Sequence, residues 1–302
     1  MSGKHFGSIE NELRLAGEQL NRLTRAINSC SDAIRITDIQ GTLLYQNSAF
    51  TNMFGYPSEE LNRSGGIRVV YDDPDMYSYV LRTTLERQNW QGKVKMRHRD
   101  GRFLMIDIRT NIVHDETGNI IGLVGVHHDI TPILEAEAAL EKRLVYESML
   151  SQISMLAVSQ PWQESFLIQS LAIMGEIMDV SRVYLFRYDP DRKSYINTYE
   201  WLANGITPQK NHLQDIPINK LKWFHHTLEN NLTIAYCDID LIPQSNEKEF
   251  LRSQNISSLL VVPLNVNGKY SGFIGFDECN FHRDWPEEDI RLLETLAQIL
   301  VG

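Results

Sequence analysis

The apolar positions of this chain change their rhythm several times, and each change marks an element. In the first stretch Ile9, Leu13, Ala16, Leu20, Leu23 and Ile27 recur at alternating steps of four and three. That is a heptad seam over almost three repeats, and it predicts a helix over residues 1–28. The seam is narrow, with polar residues around the rest of the cylinder. Either the helix lies on its own domain's core or it is one strand of a dimeric coiled coil. A helix that covers a globular core carries a wider apolar stripe, which favours the coiled coil.

Beyond residue 29 the period shortens to that of strands. AIRITD and GTLLYQN read as a strand pair around the turn Ile39-Gln40-Gly41-Thr42. Asn47 stands where a helix N-cap belongs, ahead of Ala49, Phe50, Met53 and Phe54, and Gly55 ends that helix. A second helix is predicted over 73–88, opened by Asp73-Pro74. Strands follow over 90–98, 102–113 and 119–129, separated by Arg99-Asp100-Gly101 and by DETGN. Strands, then helices, then a three-strand meander predict an antiparallel sheet with helices gathered on one face.

A connecting helix over 132–158 is predicted next. Thr131 suits its N-cap, Pro132 its first position, and Glu135 and Glu137 its positive end. Its apolar positions include Leu140, Leu144, Met149, Ile153 and Leu156. The step of five after Leu144 is either a coiled-coil register shift or the point where the helix joins a second domain, and the latter is preferred. That domain, over 145–302, is predicted to continue with a helix from Trp162 to Met178, strands SRVYLFRYD and YINTYEWL, a helix over 219–229, a strand over 232–237 and a helix over 245–254. SSLLVVPLNV and KYSGFIGFDE then form a hairpin around Asn267-Gly268, and the run Leu259–Val262 suits a central strand covered on both faces. A last helix begins at PEEDIRLL. The fold class is therefore α+β, two antiparallel-sheet domains over 29–131 and 145–302 joined by a long helix.

Composition narrows the function classes. The 302 residues are 42% hydrophobic and 23% charged, as in globular domains, with a formal net charge of −10. No basic block occurs, which argues against a nucleic-acid or anionic-membrane surface. No apolar run approaches the roughly 20 residues that span a bilayer, and no secretory signal opens the chain, so a cytoplasmic location is expected. Cys30, Cys237 and Cys279 lie far apart without a CxxC, so neither a disulfide framework nor a zinc site is expected. The pairs His127-His128 and His225-His226 do not suit one metal, because neighbours on a strand point to opposite faces.

Two family resemblances emerge from these residues. QNSAFTNMFGYPSEEL resembles the PAS pattern through Asn47, Ala49, Phe50, Phe54, Gly55, Tyr56, Glu60 and Leu61, and Asp129 with Thr131 resembles the Asp-x-Thr that closes many PAS domains. The second half resembles a GAF domain through SRVYLFRYD, the run Ser258–Leu264, the segment Gly272–Asp277, and Trp285 with Glu288-Asp289-Ile290. EWLANGITPQ with LQDIPI is similar to a variety found in bacterial sensor proteins. The resemblance implies a sensory input module of a signal-transduction protein such as a two-component histidine kinase or a cyclic-di-GMP enzyme. It also implies that Asp129 and Thr131 couple the last strand to the following helix.

Family cofactors leave signatures, and each is wanting. No cysteine for flavin chemistry occurs in 47–88, and no haem-ligating histidine in 73–88, although Met76 is a conceivable ligand. Cys237 is followed by Asp238 rather than the His or Tyr usual beside a bilin, and Asp215-Ile216-Pro217 lies upstream of it. Phe273 with Asp277-Glu278 spells part of a cyclic-nucleotide motif, but at a strand end, where the family's acidic pair would open the last helix; here that helix has Trp285, Pro286 and Glu287. Cys237 and Cys279 are the only candidates for a GAF-type reductase. What remains is a pocket marked by Trp201, Trp223, Gly272 and Gly275, since a strand glycine signals close approach and tryptophans suit a small-molecule cleft. The alternative is that both tryptophans fill the core.

The expectation is a homodimeric input module with no catalytic residues of its own, binding a small ligand or partner protein and cut at Gly302 ahead of an output domain. No phosphoacceptor-histidine, GGDEF or EAL motif is present. The alternatives are a ligand-free dimerisation scaffold and, more remotely, the reductase.

Overall fold

The computed structural model describes residues 3–159, 164–243 and 245–301, with side chains from residue 14 onward except at 245. The chain divides into two compact units, residues 1–139 and 140–302.

The first unit opens with α1 (Gly3–Asn28). Leu20 and Leu23 of the predicted seam are 66% and 62% exposed and Ile27 is half-buried, while the side chains of Ile9 and Leu13 lie outside the described residues. Five strands follow: β1 (Ala33–Thr37), β2 (Leu43–Gln46), β3 (Asn89–Arg97), β4 (Phe103–His114) and β5 (Ile120–Asp129). They form one sheet in the order β2-β1-β5-β4-β3, with every pair antiparallel. Between β2 and β3 the chain makes α2 (Ser48–Phe54), α3 (Ser58–Arg63) and α4 (Pro74–Arg87). Phe50, Phe54, Leu61 and Val80 from this helical stretch pack on Met96, Ile106 and Ile108 of the sheet.

Asn47 ties these layers together. Its Oδ1 accepts the Phe50 N–H, the N-cap bond of α2, and also the Ile34 N–H, both at 2.9 Å. Its amide donates to the carbonyls of Ile27 (3.1 Å) and Asp32 (2.9 Å). Gly55 closes α2 at φ +76°, a left-handed conformation that glycine adopts without steric cost. Short α3 and the tight turn Gly66–Val70 were not expected, because six and five residues are too few to display a helical period.

Helix α5 (Thr131–Ser159) leaves β5 without an intervening loop. Leu140 and Leu144 are exposed, whereas Met149 and Ile153 are fully buried in the core of the second unit. The break in rhythm after Leu144 is thus the point where the helix begins to pack. Asp289 fastens that end, accepting from the Tyr146 hydroxyl at 2.5 Å and from Lys142 Nζ at 2.9 Å.

The second unit continues with α6 (Glu164–Met178); the predicted start at Trp162 lies outside the described residues. Its strands are β6 (Arg182–Asp189), β7 (Ser194–Leu202), β8 (Ile216–Pro217), β9 (Ile234–Tyr236), β10 (Ser258–Val266) and β11 (Lys269–Glu278). The sheet order is β8-β7-β6-β11-β10-β9, antiparallel throughout. α5, α6 and α9 (Glu287–Val301) cover one face; α7 (Lys222–Glu229) and α8 (Ser245–Arg252) lie with the loops over the other. β10 serves both cores: Leu260 and Val262 point to the first and Leu259 and Val261 to the second, which is why its apolar run is unbroken.

Candidate functional site

The α7–α8 face of the second unit encloses a pocket of about 30 Å³. Period two places its polar groups. Arg182, Tyr184 and Phe186 share one face of β6, and Phe273, Gly275 and Asp277 share the facing side of β11. β7 adds Asn197 and Glu200, which three residues of regular strand would send to opposite faces. A bulge resolves this: Leu185 pairs with Tyr199 and Phe186 with Asn197, leaving Thr198 as the extra residue. The Asn197 amide then reaches Glu200 Oε1 at 3.4 Å.

Asp277 is the hub. Arg182 Nη1 donates to its Oδ2 at 3.1 Å, and the Tyr184 hydroxyl donates to its Oδ1 at 2.8 Å. Burial pushes the Asp277 carboxyl up to about 6, although Arg182 pulls the other way. Burial, with Asp277 alongside, also raises the Tyr184 hydroxyl well above its ordinary value. Glu200 accepts the backbone N–H groups of Gln209 and Lys210 at 3.0 Å each. Its Oε1 lies 3.8 Å from Arg182 Nε, close enough for attraction but too far for a hydrogen bond. Arg182 Nε and Asn197 Oδ1 are consequently buried without a hydrogen-bond partner. The site thus offers one unused donor and one unused acceptor, inside a wall that includes Leu213, Leu221, Phe224 and Ile256.

Of the four residues expected to mark a pocket, three have other places. Trp201 faces α6, where its ring fills the space that a side chain on Gly175 would need, so it belongs to the opposite core. Trp223 packs on Phe224 and Tyr236 at the edge of the pocket's core without lining the pocket. Gly272, at φ +148°, gives way to the backbone of β6: a Cβ there would sit 1.9 Å from the Phe186 carbonyl. Gly275 does serve the site, because the Tyr184 ring lies across it in the cross-strand position. Arg182, Tyr184, Asn197 and Glu200 carry no local signature in the sequence, and Asp277 reads there only as part of a motif placed at a strand end. The available signal was the polar residues on inward positions of two otherwise apolar strands.

The coupling pair is corrected in detail. Thr131 is the first residue of α5 rather than its cap, and its Oγ1 accepts the Met105 N–H at 2.8 Å. Asp129 takes the N-terminal role instead, accepting the Thr131 N–H at 2.9 Å. Ile130 N–H donates to the Met105 carbonyl at 2.9 Å, so the β4–β5 ladder runs directly into the first turn. The hydroxyl is engaged with the sheet, and among the described residues no hydrogen bond ties it to an N–H of the helix.

The other candidates are dispersed. Met76 packs against the first unit's core. His127 is buried edge-on to Phe50 and Phe54, while His128 meets Asp32 at 2.8 Å. His225 bonds the Tyr195 hydroxyl and His226 the Asn230 amide. Among the described residues no three His, Cys, Asp or Glu side chains gather as a metal set. Burial, then Asp277, pushes the Cys279 thiol up to about 11, the reverse of what an activated thiolate needs. No helix of the described residues is long and apolar enough to cross a membrane.

Comparison with known proteins agrees with the two units. The family model of the PAS fold matches residues 21–130, and that of the GAF domain matches residues 164–301. The methanogenesis regulatory histidine kinase FilI of Methanothrix harundinacea is 25% identical over 308 residues, covering 99% of this chain and 34% of that protein. The nitrogen fixation regulatory protein of Klebsiella oxytoca is 26% identical over 149 residues, 48% of this chain and 30% of its own length. The chain thus spans about a third of the length of these relatives. A solved PAS domain from Colwellia psychrerythraea is 25% identical, with a TM-score of 0.35, covering 37% of this chain and 98% of that one. Both curated relatives carry regulatory names, and PAS and GAF are sensory domains. Residues 21–130 are accordingly a PAS fold and residues 164–301 a GAF domain, linked by the long helix α5.

Proposed function

We propose that the chain is the input region of a signalling protein of the histidine-kinase class, and that its GAF domain takes a small organic ligand into the Arg182–Asp277 pocket. The observation that carries this reading is the pair of unsatisfied buried atoms, Arg182 Nε and Asn197 Oδ1. Buried polar groups are nearly always bonded, so an orphaned donor and acceptor in one apolar enclosure mark a place where a partner belongs. The ligand needs an acceptor for Arg182, a donor for Asn197 and an apolar body. A space of about 30 Å³ holds little more than one water, so entry requires the α7–α8 side to part.

Binding to the parted state shifts its population by no more than the ligand's preference for that state. The route proposed for a signal arising in the PAS fold is the Met105–Thr131–Asp129 junction, and α5 is its carrier. The exposed Leu20 and Leu23 favour a second copy against α1, making the region a homodimer. Native mass spectrometry of the purified chain, with an absorption spectrum, tests the reading. The expected result is a dimer carrying a small molecule that the Arg182→Gln variant fails to retain. A ligand-free dimer that no metabolite extract shifts would instead establish the scaffold reading.

A further inference from the structure

The PAS fold buries a guanidinium that nothing neutralises. Arg35 of β1 is 4% exposed, and its cross-strand partner on β5 is Gly125. A Cβ on Gly125 would lie 3.1 Å from Arg35 Nε and 3.2 Å from Cζ, so the guanidinium rests in the space the glycine leaves. Nη1 donates to Thr37 Oγ1 at 3.3 Å, while Nε has no hydrogen-bond partner. Three titratable groups on which its charge acts are uncharged at neutral pH. Tyr71 and Tyr77 are held above their ordinary values by burial, and His127 is lowered to about 3 by burial and then by Arg35 itself. Among the described residues no carboxylate forms an ion pair with Arg35.

A buried Arg cannot escape by losing its proton, because its pKa stays above about 12. It must be paired, and an unpaired buried charge costs several kcal/mol. Arg35, Thr37 and Tyr71 line a cavity of about 10 Å³, closed by Tyr77, Thr84 and Thr110. The Tyr71 hydroxyl is buried there without a well-formed hydrogen bond, and the neighbouring Arg35 guanidinium pulls its pKa down against the larger effect of burial. One cavity therefore gathers an unneutralised cation, its free Nε–H and a phenol, all suited to an acceptor of negative charge. At that volume it admits one water, so a halide or a one-carbon carboxylate enters only as the Tyr71 and Tyr77 side chains give way.

We propose that this cavity is a binding site for a small monoanion, either a halide or the carboxylate of a one-carbon acid, held by Arg35 Nε–H and the Tyr71 hydroxyl. A water would satisfy the two groups but leave the charge unanswered. The site lies in the PAS fold and is independent of the pocket in the GAF domain.

Calorimetric unfolding of the full chain tests this. Sodium gluconate, whose anion is too large for the cavity, is replaced stepwise by sodium bromide in one series and sodium formate in another, at fixed ionic strength. The expected result is a transition whose Tm rises and saturates with anion concentration, as a bound ligand requires. That response should vanish in Arg35→Met. Tyr71→Phe keeps the charge and should keep the response, with affinity weakened several-fold. If Arg35→Met does not fold, Tyr71→Phe and crystals grown in bromide decide. Anomalous density beside Arg35 Nε identifies a halide site, and a formate response without it identifies a carboxylate site. Equal responses in all variants, or no response to either anion with only water at Nε, would overturn the proposal.

Discussion

Asp277 yields a prediction with a definite sign. Its carboxyl is raised to about 6 from the ordinary 3.8, so the folded chain binds that proton more tightly than the unfolded chain does. Stability from this group is therefore complete below pH 3.8 and is lost as pH rises through about 6. At about 1.4 kcal/mol per pH unit, the gap of roughly two units is worth about 3 kcal/mol. Physically, desolvating the carboxylate costs more than Arg182 at 3.1 Å and Tyr184 at 2.8 Å return.

Asp277→Asn removes the titration and keeps the shape. Its amide has one acceptor oxygen where the carboxylate has two, which adds a penalty independent of pH. The informative quantity is therefore the difference in unfolding free energy between wild type and variant, followed from pH 4 to pH 7. Wild type should lose about 2 kcal/mol relative to the variant over that window, the remainder of the effect lying below pH 4. Urea unfolding in a Trp90→Phe background gives a clean readout, since the other tryptophans, at 162, 201, 223 and 285, all lie in the second unit. A flat difference would refute the burial argument. A difference of opposite sign would mean that Arg182 outweighs desolvation.

Four further substitutions separate packing, capping and coupling. Asn47→Ala removes four hydrogen bonds to the main chain at a buried position, and at about 1 kcal/mol each should lower the first unit's stability by about 3–4 kcal/mol; calorimetry should show the second unit's transition unmoved. Gly175→Ala drives a methyl into the Trp201 ring, 2.0 Å from its nearest atom, and should cost about 1–3 kcal/mol with a shift in tryptophan emission. Thr131→Gly and Asp129→Ala should each cost about 1 kcal/mol at the strand–helix junction, read as faster exchange of the Met105 and Thr131 amides respectively. In a full-length signalling parent they should alter regulation without unfolding, and unaltered output would sink the coupling idea.

The residues that were legible from sequence are those whose meaning is local. Alternation located β3, β4 and β5 to within a residue or so, Asn47 and Gly55 bounded α2, and the unbroken run at 259–262 announced a strand covered twice. Whatever depends on a distant partner stayed hidden. Thr131 looks like a cap until Met105, 26 residues earlier, claims its hydroxyl. Trp201 looks like a pocket aromatic until the bulge at Thr198 turns it toward α6 and turns Glu200 inward. The Arg182–Asp277 pair spans 95 residues and has no local period to betray it.

One strand glycine in each sheet carries the same message. Glycine within a strand weakens it and packs nothing, so its place must be justified by what lies across it. Across Gly275 lies the Tyr184 ring, which reaches on to Asp277; across Gly125 lies Arg35, with its free Nε. The cross-strand register makes both pairs direct neighbours, Gly275 with Tyr184 and Gly125 with Arg35. A larger residue at either glycine would push the polar side chain off the sheet and out of its enclosure. These glycines therefore read less as points of flexibility than as seats for a polar group inside an apolar layer. At Gly275 what approaches is part of the protein, the Tyr184 ring, and it is that part which frames the pocket.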